Sequence, residues 1–225
     1  MFRFLAAALA LMCSSQSFAA PVYEYTNENA KSSKTDWLES IYMTWDTAAE
    51  QLYWETTFNA AGADADSAWL VMNDGPNPKK AQTNELVIMY MDFARGTVTS
   101  MVYNGANNAN SYNTPGIYLQ TDALNYEGNK ISFTIDASSI NAEDIGGDYR
   151  GMMAGPDSVG LWLHIASGSD FDYDDDGEAV TGYSFASQVW YDRANLSMTP
   201  VPEPGSMALL GLGLLGLAAR RRLAA

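Results

Sequence analysis

Along most of the chain, short runs rich in Tyr, Trp, Val, Ile and Thr recur between clusters of Gly, Asn, Asp and Pro. Such runs, closed by turn residues, are the signature of strands. The 3.6-residue spacing of an amphipathic helix is nearly absent. The pattern predicts strands over residues 40–46, 51–59, 68–73, 85–93, 97–104, 116–121, 130–136, 159–166, 182–187 and 189–195. The breaks between them are strong: Asp74-Gly75-Pro76-Asn77-Pro78, Arg95-Gly96 and Glu127-Gly128-Asn129. About ten strands at this spacing imply an all-β fold, an antiparallel β-sandwich or jelly roll. Residues 85–93 are apolar on both faces (Leu86, Ile88, Tyr90; Val87, Met89, Met91, Phe93), so this strand should be central and covered on both sides. Residues 137–144 read as a short helical turn introduced by Ser138 or Ser139, and residues 21–34 as a loose polar arm. There is no internal repeat and no sign of a second domain.

The two ends break the pattern. Residues 1–19 read as a secretory signal peptide: Arg3 gives the positive start, an apolar run follows, and Ser17-Phe18-Ala19 gives a small-x-small site with cleavage after Ala19. A lipoprotein at Cys13 is disfavoured, because Met12 stands where a small residue is needed. Cys13 is the one cysteine and leaves with the leader, so the mature chain has no disulfide or thiol chemistry. At the other end, Pro202-Glu203-Pro204 precedes an apolar run, a predicted short helix over 206–219, and then Arg220, Arg221 and Arg222. The thirteen residues 207–219 would reach roughly 20 Å as a helix, against a hydrocarbon core of roughly 30 Å. Gly211, Gly213 and Gly216 weaken that helix further. The run is a marginal anchor whose arginines should stay cytoplasmic, while Pro202 and Pro204 keep the segment before it extended. The organisation is thus signal peptide 1–19, β-sandwich domain 20–198 and sorting tail 199–222.

The chain has 12 basic and 27 acidic residues. Removing Arg3 and the three tail arginines leaves 8 basic, and removing Glu203 leaves 26 acidic, so the mature net charge is about −18. Nothing here could neutralise phosphates, which excludes nucleic acid as a partner. A strongly acidic exported domain fits solubility, mutual repulsion of copies or divalent cation binding.

Two constellations could carry chemistry. In residues 170–178, Asp172, Asp174 and Asp176 precede Gly177 and Glu178, a D-x-D-x-D-G spacing in which alternate carboxylates converge on calcium. The alternative is an exposed acidic turn between strands. In residues 103–113, Tyr103, Asn107, Asn110 and Tyr112 combine amides that donate and accept with flat aromatic faces. That chemistry suits sugar hydroxyls; the alternative is an ordinary surface loop. Catalysis has little support. His164 is the single histidine, inside the strand run Leu161-Trp162-Leu163-His164-Ile165, and reads as a packed residue. No nucleophile-elbow or phosphate-loop motif is present. No catalytic residue is assigned, although paired carboxylates would suffice for a glycosidase.

The tail resembles the PEP-CTERM sorting signal of Gram-negative bacteria that make extracellular polysaccharide. The resemblance rests on Pro202, Glu203 and Pro204, the short apolar helix, and the terminal Arg220, Arg221 and Arg222. It implies export, transient tethering at the inner membrane, cleavage by an exosortase, and delivery to the cell surface or extracellular matrix. Such tails also carry the label "ice-binding protein C-terminal" domain, which describes the tail and says nothing of ice. Trp69 to Lys79, Glu85-Leu86 and Val189 to Asp192 resemble a group of secreted PEP-CTERM proteins of unassigned function. The strand order resembles sandwich modules of the family-nine carbohydrate-binding or DOMON type; no haem-ligand motif matches, so haem is not carried over. The expected function is a non-enzymatic structural or glycan-binding sandwich retained in exopolysaccharide, with calcium as a candidate stabiliser. The alternative is a secreted glycan-active enzyme using paired carboxylates.

Overall fold

In a computed structural model, residues 22–73, 75–78, 86–103, 116–146, 149–152 and 158–201 are described. The strands are β1 (Val22–Asn27), β2 (Leu38–Asp46), β3 (Gln51–Phe58), β4 (Ser67–Asn73), β5 (Val87–Asp92), β6 (Thr97–Val102), β7 (Tyr118–Glu127), β8 (Lys130–Asp136), β9 (Val159–Ser167), β10 (Asp170–Tyr173), β11 (Val180–Ser184), β12 (Ser187–Leu196) and β13 (Thr199–Pro200). The α-helix α1 (Ala137–Ala142) follows β8. Among the described residues the hydrogen-bonded order is β12-β9-β4-β5-β6-β7-β8-β3-β2-β1-β13, with β10-β11 as a separate hairpin, and every pairing is antiparallel.

This sheet curls into two faces because β7 serves both. Its Tyr118–Ala123 half pairs with β6, and its Leu124–Glu127 half pairs with β8. The far ends are joined by one side-chain and one backbone contact: the Tyr25 and Tyr191 hydroxyls lie 2.9 Å apart, and the Ser33 backbone N–H donates to the Trp190 carbonyl at 2.7 Å. The antiparallel all-β sandwich expected from the strand pattern is therefore the architecture found.

Period-two alternation explains what lies where. In β2 and β3 the inward residues Ile41, Met43, Trp45, Leu52, Trp54 and Phe58 are buried, while Tyr42 and Tyr53 pack edge to face outside. The buried Thr56 hydroxyl is satisfied by Trp54 Nε1 at 2.7 Å. β4, β5 and β9 are apolar on both faces. Leu70, Met89 and Leu163 enter the main core between the sheets, whereas Trp69, Tyr90 and Trp162 enter a second core on the outside. β10 and β11 roof this second core with Phe171, Tyr173, Val180 and Tyr183. The central, doubly covered strand expected at 85–93 is β5, buried along its whole length.

Three local expectations change. The polar arm at 21–34 contains β1, which pairs with β2 over Val22–Asn27. Residues 170–173 form a strand, β10. The helical turn is capped by Asp136, not Ser138 or Ser139: the Asp136 carboxylate accepts from Ser138 N–H at 3.0 Å and Ser138 Oγ at 2.6 Å. That bonding holds the Asp136 carboxyl below its ordinary range.

Candidate functional site

The acidic segment Asp172 to Glu178 is the tip of the β10–β11 hairpin. Asp174 Oδ1 accepts the N–H of Glu178 at 2.8 Å and of Ala179 at 3.1 Å, and Gly177 turns the chain at φ 73°. Asp172 lies on the strand against Gly182, while Asp175, Asp176 and Glu178 face solvent. Asp172, Asp174, Asp176 and Glu178 thus do not converge. No three acidic or histidine side chains among the described residues are placed to hold a metal ion. Here the D-x-D-x-D spacing is the alternation of a strand running into a self-capped turn.

A second set of bonds pins this tip to the sandwich. Arg95 donates to the Gly177 carbonyl at 2.8 Å, and its guanidinium lies 3.9 Å from the Tyr173 ring centre. Tyr173 OH donates to Asp92 Oδ2 at 2.9 Å. Burial first, and then the Asp92 carboxylate, pushes the Tyr173 phenol up to about 12.

A grouping of polar and aromatic side chains lies where β9, β4 and β12 adjoin. His164, on β9, is 7% exposed and stacks on Trp69 at 4.0 Å between ring centres. Its other face looks toward the Trp190 ring at 6.0 Å, and its Nδ1 lies 2.9 Å from Gln188 Oε1. An amide oxygen only accepts, so Nδ1–H is the donor in this arrangement. The buried imidazole thereby fixes the orientation of Gln188, which lines a cleft of about 280 Å³. The cleft wall also includes Lys34, Thr35, Phe185 and Ser187. Lys34 adopts a left-handed backbone at φ 60° and carries its ammonium 4.9 Å above the Trp190 ring. This cleft joins hydroxyl, amide and ammonium groups to aromatic faces. Sequence pattern placed its histidine in the core correctly but gave no hint of the cleft, because residues 34–37 and 185–189 meet only through the fold.

Of the other sequence-derived candidates, Tyr103 is wholly buried in the second core, with Trp162 edge-on at 6.3 Å. Its ring serves packing. Asn107, Asn110 and Tyr112 lie outside the described residues, as do Ala19, Pro202, Glu203, Pro204, Arg220, Arg221 and Arg222. No helix among the described residues is long and apolar enough to cross a membrane.

Fold and cleft define an antiparallel β-sandwich with a small polar-aromatic cleft. Its destination comes from the tail: residues 200–222 match the family model described as the PEP-CTERM protein-sorting motif. The chain is therefore a PEP-CTERM sorting-motif protein, an exported substrate of exosortase processing. No curated protein and no solved structure matches the chain.

Proposed function

We propose that this protein is a surface or extracellular-matrix component of a Gram-negative bacterium that works by binding or scaffolding, not by catalysis. A leader cut after Ala19 exports it, the tail tethers it briefly at the inner membrane, and exosortase then releases it. The observation that carries this reading is the sorting motif at 200–222. The binding half rests on the cleft beside β12. Thr35 and Ser187 offer hydroxyls and Gln188 an oriented amide, groups that exchange hydrogen bonds with sugar hydroxyls. The ligand class is accordingly a glycan, with the producer's own exopolysaccharide as the first candidate. Affinity electrophoresis through that polysaccharide tests it. Wild type should be retarded, and Lys34→Ala, an exposed position, should lose much of the retardation. Unretarded wild type would overturn the binding half and leave the sorting half standing.

A further inference from the structure

The last described strand of the sandwich and the sorting motif share one residue, Pro200. In β13, Thr199 lies opposite Glu24 and Pro200 opposite Tyr23 of β1. Val201 N–H donates to the Val22 carbonyl at 2.8 Å. The motif begins at Pro200, so Pro202-Glu203-Pro204 starts directly after a hydrogen-bonded residue. Just upstream, Met198 is 6% exposed and belongs to the main core. The approach to the motif is therefore held by a buried side chain and by strand pairing.

Proline fits this position. Antiparallel partners alternate between bonded and non-bonded pairs. Val22 and Val201 form a bonded pair, so Tyr23 and Pro200 form a non-bonded one, in which a proline forfeits no bond to β1. Its ring also blunts the outer edge of the sheet against a further strand.

β1 and β13 pair antiparallel, and Val22 follows the expected leader cut at Ala19 by three residues. Both topogenic ends therefore leave the domain side by side, at one pole. A processing enzyme takes its peptide extended and needs the backbone edges free. A strand already paired must lift first, and the rate of cutting then follows the population of the lifted state.

We propose that the β1–β13 pairing controls release of the protein: exosortase cuts the tail from a state in which β13 has left β1, so the folded domain restrains its own processing. This rests on the sorting reading above and concerns only access to the bond that reading already assigns.

The test is a double variant, Tyr23→Cys with Pro200→Cys. Non-bonded antiparallel pairs bring side chains closest together, and the mature chain has no cysteine of its own to compete once Cys13 leaves with the leader. The full chain is expressed with an exosortase and its conversion followed by pulse-chase. The oxidised form should be cut at least about tenfold more slowly than the same chain reduced with dithiothreitol, a factor set by the opening of a few strand bonds. A second variant inserts a Gly-Ser spacer between Val201 and Pro202, leaving the domain's sequence intact, and should be cut several-fold faster than wild type. Equal rates for the oxidised and reduced forms overturn the inference. An unchanged rate in the spacer variant overturns it even where the double-cysteine chain fails to fold. Wild type that is never cut overturns the sorting reading, and this inference with it.

Discussion

Tyr183 fastens the β10–β11 hairpin to the sheet through both its hydroxyl and its ring. It is 4% exposed, its hydroxyl lies 2.7 Å from Ser67 Oγ, and its ring meets Tyr90 at 5.8 Å, Phe171 at 4.7 Å and Phe185 at 5.6 Å between centres. Tyr183→Ala removes those ring contacts and one partner of Ser67. Truncating a large buried aromatic costs about 3–5 kcal/mol. In a domain of this size each kcal/mol moves the melting temperature by about 2–4 °C. The expected fall is therefore roughly 6–20 °C by circular dichroism. Tyr183→Phe keeps the ring and loses one net hydrogen bond of about 0.5–1.5 kcal/mol, a fall of roughly 1–6 °C. Tyr126→Ala is the comparison: that ring is 38% exposed with one face on Phe93, and its loss should cost less than half as much. A Tyr183→Ala midpoint within about 2 °C of wild type would refute the reasoning, because it would mean that the hairpin does not roof a second core.

Four further outcomes are expected. Asp174→Ala strips the acceptor from the Glu178 and Ala179 N–H groups and should cost about 0.5–2 kcal/mol, as for other lost caps. EGTA should leave the wild-type midpoint unchanged, and a fall on chelation would show a cation in the loop. Gly160→Ala places a Cβ against the Pro76 carbonyl and Asn73 Oδ1, and such overpacking should destabilise by about 1–3 kcal/mol or more in a denaturant titration. At high pH, burial holds the Tyr149 and Tyr173 phenols up to about 12, and that of Tyr25 higher still. These folded-state values exceed the unfolded value of about 10. Their contribution is therefore complete below about pH 10 and is lost as pH rises through about 12, so the denaturant midpoint should fall across that window.

The strand pattern carried the class and the place of β5 because both depend on local alternation of large apolar residues. Four features were hidden for specific reasons. β1 reads Val-Tyr-Glu-Tyr-Thr-Asn, and its strand character comes from pairing with β2 and from the Tyr25–Tyr191 contact, 166 residues apart. β10 reads Asp-Phe-Asp-Tyr: a calcium loop and an edge strand both set alternate residues on one side. The acids drew attention, while Phe171 and Tyr173, which pack against the second core, carried the structure. Tyr103 borders an Asn-rich stretch, yet it follows β6 directly and, like Met101, enters the second core. The cleft at Lys34 and Gln188 joins segments about 150 residues apart, which no local pattern shows.

The claim that the tail sorts and releases this protein is tested most directly by the intact mass of the exported product. Expressed in a host with an exosortase, the protein should begin after Ala19, end within Pro202–Pro204, and lack the apolar run and Arg220, Arg221 and Arg222; in the same host without the exosortase it should keep them. A product that keeps its arginines in both hosts would contradict the account.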